Sequence, residues 1–309
     1  MDTRTTLVME PLAAPTAVAV GFFDGVHLGH QEVMRKALAY KGQGLRACVF
    51  SFTTSGSAPT SGKASAKILD MDEKQRLCRE MGVDVLVIPE FGEFCGVEPE
   101  DFVNGILHKK LGARVVSCGS DFRYGKGATG NIHALKKQSK ALGIGVEVSD
   151  AVLYQGKPIS STRIRRCLAQ GDIPGVEGML GRCYSYSASV MEGKRLGREL
   201  GFPTLNQYYK EDQAVPRFGV YASFGVVEGR LIPAVTSIGD NPTVGVDRPV
   251  CETHLIGADE NLYGCQVRVG LLAYLRELQR FESLEALVAQ IKLDVIQAEE
   301  IFGSKDIAY

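Results

Sequence analysis

The residue types able to do chemistry concentrate in a few short stretches, and the first is Gly21-Phe22-Phe23-Asp24-Gly25-Val26-His27-Leu28-Gly29-His30. It follows the apolar run Ala17–Val20, which reads as a buried strand, and precedes Gln31–Tyr40, which reads as a helix. A strand, a glycine-rich turn and a helix start gather backbone N–H groups and a positive dipole end in one crevice, a natural place for phosphate. Gly21 and Phe23 open the turn, and Gly25 and Gly29 let the backbone approach a ligand closely. His27 and His30 bring two imidazoles to the same crevice. The plainer alternative is a pair of surface histidines on a strand–helix loop, but the flanking strand, helix and glycines weigh against it.

A second stretch, Gly193-Lys194-Arg195-Leu196-Gly197-Arg198-Glu199-Leu200-Gly201-Phe202-Pro203-Thr204-Leu205-Asn206, sets glycines and basic residues in a loop between strands. Such a loop suits a polyphosphate, and it is equally compatible with a solvated surface loop. Thr204 and Asn206 add two neutral oxygens, enough for a Mg2+ that travels on a nucleotide and keeps its waters. Phosphoryl transfer to a hydroxyl also needs a base, and Glu252 is a carboxylate in the otherwise apolar strand Val250–His254. Read alone, Glu252 is better explained as an outward-facing side chain.

A third stretch, Ile159-Ser160-Ser161-Thr162-Arg163-Ile164-Arg165-Arg166, opens a short helix that Gly171 ends. Ser161 or Thr162 there is an ordinary cap. Three arginines in a first turn oppose the helix dipole, an arrangement that an anion would make favourable. The run Gly125-Lys126-Gly127-Ala128-Thr129-Gly130 spells G-x-G-x-x-G, but Ser120–Tyr124 separate it from the preceding strand. The dinucleotide fingerprint needs its first glycine directly after the strand, so a mobile glycine-rich loop is expected here, not a NAD site. No G-x-x-x-x-G-K-[ST] run occurs, which removes the P-loop NTPases.

These stretches need scaffolds to hold them. Strands are expected at 17–20, 47–52, 83–88, 115–119 and 146–149, with helices near 30–41, 72–81, 99–111 and 133–143. This alternation implies βαβ units and a parallel sheet. Ligands bind beyond the carboxyl ends of such strands, so His27, His30, Asp121 and Arg123 are expected on one rim. The Ser-, Thr-, Gly- and Pro-rich segment 51–67 reads as a mobile flap. From Gly181 onward short strands follow without intervening helices, at 183–190, 219–227, 230–238, 251–256 and 266–273, with a hairpin about Glu228-Gly229. Ser283 should cap a closing helix with apolar residues at 284, 287, 288, 291, 295 and 301. The expected architecture is an α/β Rossmann-like domain over 1–180, then a mainly antiparallel β-barrel over 181–309 with a C-terminal helix.

Composition narrows the setting. The chain has 309 residues, 45% hydrophobic and 23% charged, with a net charge of −1, so it carries no field for nucleic acid. No run reaches the roughly 18 apolar residues of a membrane span, and Met1-Asp2-Thr3-Arg4 begins no signal-peptide core. The 8 cysteines are scattered without a Cys-x-x-Cys spacing, which fits reduced thiols in a cytoplasmic protein. With 5 histidines and no clustered thiolates, no zinc site is expected.

His-x-Gly-His after a first strand resembles the signature of nucleotidyltransferases. In order and spacing, GFFDGVHLGH, GSDFRYGKGATGN and ISSTRIR resemble the FMN adenylyltransferase module of the bifunctional riboflavin kinase/FMN adenylyltransferase family. GRELGFPTLN, FGVYA, SIGDNPTVG, CETHLI and LYG resemble its riboflavin kinase module over nearly all of 181–302. The resemblance implies two ATP-dependent steps, riboflavin to FMN and FMN to FAD with release of pyrophosphate, neither through a covalent enzyme intermediate. It implies that His27, His30, Ser161, Thr162 and Arg165 meet ATP phosphates, with Gly21, Phe23, Gly25 and Gly29 in the same turn. It places Asp121 and Arg123 on the flavin side. It implies a six-stranded barrel in which Thr204 and Asn206 hold Mg-ATP beside Gly193, Lys194 and Gly197, and Glu252 takes the proton of the ribityl 5′-hydroxyl. The family usually follows its second strand with a Phe-Asp-Pro-His-Pro-like turn, where this chain has Ser51-Phe52-Thr53-Thr54-Ser55, and Ala188 stands where a glycine is common. Two other readings compete. A cytidylyl or pantetheine-phosphate adenylyl transferase would share His-x-Gly-His and leave GFPTLN unexplained. A flavin-binding regulatory module with a decayed transferase half would draw support from the altered 53–60 loop.

Overall fold

The computed structural model describes residues 1–54, 66–193, 196–240, 248–258 and 260–309. The chain divides into two compact units, Met1–Ser160 and Ser161–Tyr309.

In the first unit, β1 (Asp2–Arg4), β2 (Thr16–Val20), β3 (Arg46–Phe50), β4 (Val85–Val87), β5 (Ala113–Gly119) and β6 (Gly145–Ser149) form one six-stranded sheet in the order β1-β4-β3-β2-β5-β6. Every pairing in it is parallel. All of β2 is buried, as a central strand covered on both faces must be. Helices α1 (Leu28–Leu38), α2 (Met71–Glu80), α3 (Pro99–Asp101, continuing as a π-helix over Phe102–Lys110) and α4 (Ile132–Ala141) connect the strands. The strands and helices therefore stand where the alternation put them, apart from β1, whose three residues are too few to carry a pattern. A small hairpin of β7 (Leu153–Tyr154) and β8 (Lys157–Pro158) ends the unit.

Topology decides what shares a rim. β2 and β5 are parallel neighbours, with Ala19 opposite Ser117, so the loops that leave them emerge at the same end of the sheet. The His27 turn and the Asp121–Arg123 turn accordingly occupy one rim. The 125–130 loop is tied rather than open: Tyr124 and Gly130 exchange backbone bonds of 3.2 and 2.9 Å, and Lys126 N–H donates to Val97 O at 2.7 Å. Of the segment read as a flap, residues 55–65 lie outside the described residues. Its start is anchored where Thr53 pairs with Glu90.

The second unit opens with α5 (Ser161–Gln170) and α6 (Ile173–Leu180). Then come β9 (Tyr184–Ser189), α7 (Leu196–Glu199), β10 (Leu205–Tyr208), β11 (Gly219–Val227), β12 (Arg230–Asp240), β13 (Pro249–Leu255), β14 (Gln266–Arg276) and α8 (Leu284–Ser304). Six antiparallel strands run in the order β10-β13-β12-β11-β14-β9. A bridge from Met191 N–H to Asn206 O at 2.8 Å joins the two ends and closes the barrel. The β11–β12 turn has Glu228 and Gly229 at φ 50° and 77°, the left-handed pair that a two-residue hairpin requires.

Ser283 caps α8, its hydroxyl accepting the Ala286 N–H at 3.2 Å. The expected stripe holds at Leu287, Ile291, Val295 and Ile301 and fails at its first position. Leu284 is 56% exposed, whereas Asp294 and Ala298 are buried. Val295, Ile301 and Phe302 pack on a core containing Val220, Ala222 and Phe224. Among the described residues no helix is long and apolar enough to cross a membrane.

Candidate active sites

The first site is built by backbone strain. After β2, Phe23, Gly25 and Val26 take φ of 51°, 88° and 40°. A left-handed β-branched residue is a genuine outlier, and such strain persists only where the surroundings enforce it. The enforcement is visible. Asp24 is buried and accepts the Ile68 N–H at 2.9 Å, and a Cβ on Gly25 would stand 3.2 Å from Ile68 Cδ1. Gly21 packs on the Phe23 ring and Gly29 on the His27 ring.

His27 is the N-cap of α1, its Nδ1 accepting the His30 N–H at 3.3 Å. A ring nitrogen that accepts carries no proton, so the proton sits on Nε2 and makes it a donor. The two imidazoles stack with centroids 3.5 Å apart and planes 18° from parallel, and the Phe23 ring meets His30 edge-on at 5.3 Å. Burial, then the neighbouring His27 and Lys74 charges, holds His30 well below its usual value of 6.5. His30 is thus uncharged at neutral pH, and its Nδ1 is buried without a hydrogen-bond partner. The first turn of α1 has no acidic residue, so dipole and donors together favour an anion. Asp121 and Arg123 are exposed on the same rim.

Ser161, Thr162 and Arg165 open α5 and belong to the second compact unit, where Arg165 donates to Thr162 Oγ1 at 3.4 Å.

The second site is built by side chains on strands. Asn206 on β10 lies opposite Glu252 on β13, which lies opposite Ser237 on β12. Alternation buries Cys251 and Thr253 inside the barrel and turns Glu252 and His254 outward. There they line a cavity of about 470 Å³ with Thr204, Asn206, Gly193 and Gly197. Its other walls include Leu278, Phe281, Leu287 and Ile291 and the pair Arg276–Asp294. Burial raises the Glu252 carboxyl above its usual 4.5, which suits a general base near neutrality. Thr204 and Asn206 also line a second cavity, with Val190, Leu255 and Tyr263, so both oxygen donors stand between two spaces. Gly193 lies directly over the Asn206 amide, where a Cβ would come within 2.4 Å of Nδ2. His254 Nδ1 and Pro203 O, 2.9 Å apart, fix the approach to Thr204. Lys194 lies outside the described residues.

Among the described residues no cluster of three His, Cys, Asp or Glu could hold a metal. The donors that fit Mg2+ are Thr204 Oγ1 and Asn206 Oδ1, neutral oxygens at a cavity wall whose missing charge a polyphosphate would supply.

Two charged groups at these sites have no sequence motif. Lys74 on α2 is 5% exposed and Asp294 on α8 is 1% exposed. Each had a signal, because each is a charge on the apolar face of an amphipathic helix.

Comparison with known proteins assigns the two halves. Residues 10–163 match the FAD synthetase family model, and residues 180–302 match the riboflavin kinase model. The chain is 34% identical to the bifunctional riboflavin kinase/FMN adenylyltransferase of Escherichia coli K12 over 93% of its length and 92% of the relative's. The chain belongs to this family. The Haemophilus influenzae and Bacillus subtilis members are 33% and 30% identical, over 93% and 94% of this chain and 94% of each relative. A crystal structure described as a macrolide-efflux protein from Streptococcus pneumoniae is 26% identical, with TM-score 0.84 over 98% of this chain and 99% of that one.

Proposed function

We infer that this chain makes FMN and FAD from riboflavin in two ATP-dependent steps, with phosphorylation carried by residues 181–309 and adenylylation by residues 1–180. The observation that carries the reading is the juxtaposition on one cavity wall of a carboxylate raised by burial, Glu252, and two neutral oxygen donors, Thr204 and Asn206. In the kinase step Glu252 takes the proton of the 5′-hydroxyl as its oxygen attacks the γ-phosphorus, and ADP leaves. Thr204 and Asn206 would hold the magnesium, which would neutralise phosphate charge, and Gly193 and Gly197 line the wall beside it.

In the adenylyl step an FMN phosphate oxygen attacks the α-phosphorus of ATP and pyrophosphate leaves. His27, through its Nε2–H, and His30, as a neutral imidazole, donate to the phosphates. Gly21, Phe23, Gly25 and Gly29 let the turn approach them, Ser161, Thr162 and Arg165 add further phosphate contacts, and Asp121 and Arg123 serve the flavin side. Catalysis in both steps is alignment and charge stabilisation. The substrates are small and diffusible, and the reading includes a cytoplasmic setting, where ATP is supplied.

Incubation of the pure chain with riboflavin and Mg-ATP, resolving FMN from FAD over time, tests the reading. FMN should rise first and FAD follow. Production of neither would reject both assignments, and FMN without FAD would leave the first unit a flavin-binding module.

A further inference from the structure

The turn that carries His27 and His30 is held from behind by a lysine. Lys74 Nζ donates to Phe22 O at 2.9 Å and to Ser51 Oγ at 3.2 Å, and Ser51 Oγ donates to the same Phe22 carbonyl at 2.8 Å. The ammonium also stands 5.1 Å from the centroid of the Phe22 ring. Phe22 is the last residue before the left-handed positions begin at Phe23. Three elements thus meet at one carbonyl: the turn after β2, the end of β3 and the middle of α2. A lysine buried to this degree is costly, and helix packing alone would be served by an apolar residue in its place.

We propose that Lys74 is a positioning residue for adenylyl transfer, fixing the Phe22 carbonyl so that the strained Phe23–His30 turn is already in its phosphate-receiving shape before ATP arrives. Lys74 touches no substrate and acts through the turn. Its charge has a second consequence. The charged groups facing His30 are His27 and Lys74, and those facing Lys74 are Asp24, Cys78 and Lys67. Burial brings the Lys74 ammonium down to about 8, opposed by Asp24, so at neutral pH it is mostly charged and disfavours a proton on His30. This inference rests on the assignment of His27 and His30 to the phosphates of the adenylyl step.

The test is Lys74→Met, which keeps the length of the stem and removes both charge and donor. Three measurements on the full chain separate positioning from mere packing: KM for ATP in FAD formation, riboflavin phosphorylation, and the imidazole titration of His30 by NMR among only 5 histidines. The expected result is a rise of about tenfold in KM for ATP in the adenylyl step, the scale of a hydrogen bond from a charged group. The kinase step should be unchanged. His30 should titrate at higher pH than in the wild type, because removing a nearby positive charge makes its protonated form less costly. Wild-type KM and wild-type His30 titration in a folded K74M chain would overturn the proposal. If K74M does not fold, Ser51→Ala decides: it should raise KM for ATP in the same direction by a smaller factor, and no change would reject the clamp. His30→Ala run in parallel distinguishes the two levels of argument. FAD formation that survives His30→Ala defeats the phosphate assignment itself, whatever Lys74→Met does.

Discussion

The two sites solve phosphorus chemistry with opposite materials. At the first, a strained turn, a helix start and two stacked imidazoles line the rim, and the one carboxylate in the turn, Asp24, accepts the Ile68 amide. At the second, strand side chains do the work, and a carboxylate with its value raised by burial stands in the cavity. The acceptor explains the difference. An FMN phosphate is already an anion near neutral pH and needs no base, only donors to offset its repulsion from ATP. A ribityl hydroxyl holds its proton far above neutrality and must lose it as the new bond forms. A base is therefore required in the barrel and has no use at the turn.

The strongest way to break this contrast is to remove the base. Glu252→Gln keeps the shape of the side chain, and we expect riboflavin phosphorylation to fall about 10²–10⁴-fold while supplied FMN still becomes FAD. Because burial raises the carboxyl, the wild-type kinase rate should decline on acidification at a higher pH than an ordinary glutamate would impose, and the adenylyl rate should not follow that limb. Near-native kinase turnover in the variant, with riboflavin still bound by fluorescence, would remove Glu252 from the mechanism.

The mirror experiment is His30→Ala. Loss of a preorganised donor costs about 10²–10³-fold, and the loss should fall on FAD formation alone. If FMN formation fell in parallel, the separation of the two chemistries would be wrong.

A smaller effect should follow from Gly193→Ala. Its Cβ would stand 2.4 Å from Asn206 Nδ2, so the amide must turn away and one of the two metal donors is lost. The expected sign is a higher magnesium requirement in the kinase step, with kcat falling about tenfold and recovering in part at high Mg2+. A wild-type magnesium titration would show that Asn206 holds no metal.

Legibility differed between the two sites for a physical reason. The turn is written in consecutive residues, and strand, glycines, histidines and helix follow without a gap, so both its position and its rim were readable. The barrel cavity is assembled from β10, β13 and α8, separated by long stretches of chain, and only strand register brings Asn206 beside Glu252. β10 itself escaped notice, because four residues of mixed polarity, Leu205–Tyr208, carry no alternation. The apolar stripe assigned to α8 holds at Leu287, Ile291, Val295 and Ile301 and fails at Leu284, which is left in solvent, and it missed the buried Asp294, which pairs with Arg276 at 2.7 Å. Lys74 was obscured in the same way. A charge on an apolar face looks like noise in a pattern until its partner is known.

The subtlest consequence of the contrast is thermodynamic, since a base held in a cavity should cost the fold stability that the turn never pays. The Glu252 carboxyl is raised above 4.5 in the folded chain, so folding disfavours its ionised form. As pH rises past the unfolded value, the unfolded chain releases this proton while the folded chain still holds it. The folded state then binds more protons than the unfolded one, and stability falls with pH across that window and stays lower above it. Glutamine carries no such proton. Glu252→Gln should therefore match the wild type in Tm below pH 4 and exceed it at pH 8 by on the order of 1–3 °C, so that the variant that loses the kinase step is the more stable protein. His30→Ala offers the contrast: burial holds His30 below its unfolded value, so the unfolded chain takes up that proton first as pH falls, and this variant should gain on the wild type toward acid rather than alkaline pH. A Tm difference between Glu252→Gln and wild type that does not change between pH 4 and pH 8 would mean that the carboxylate is comfortably solvated, and with that the argument for a poised base would fail.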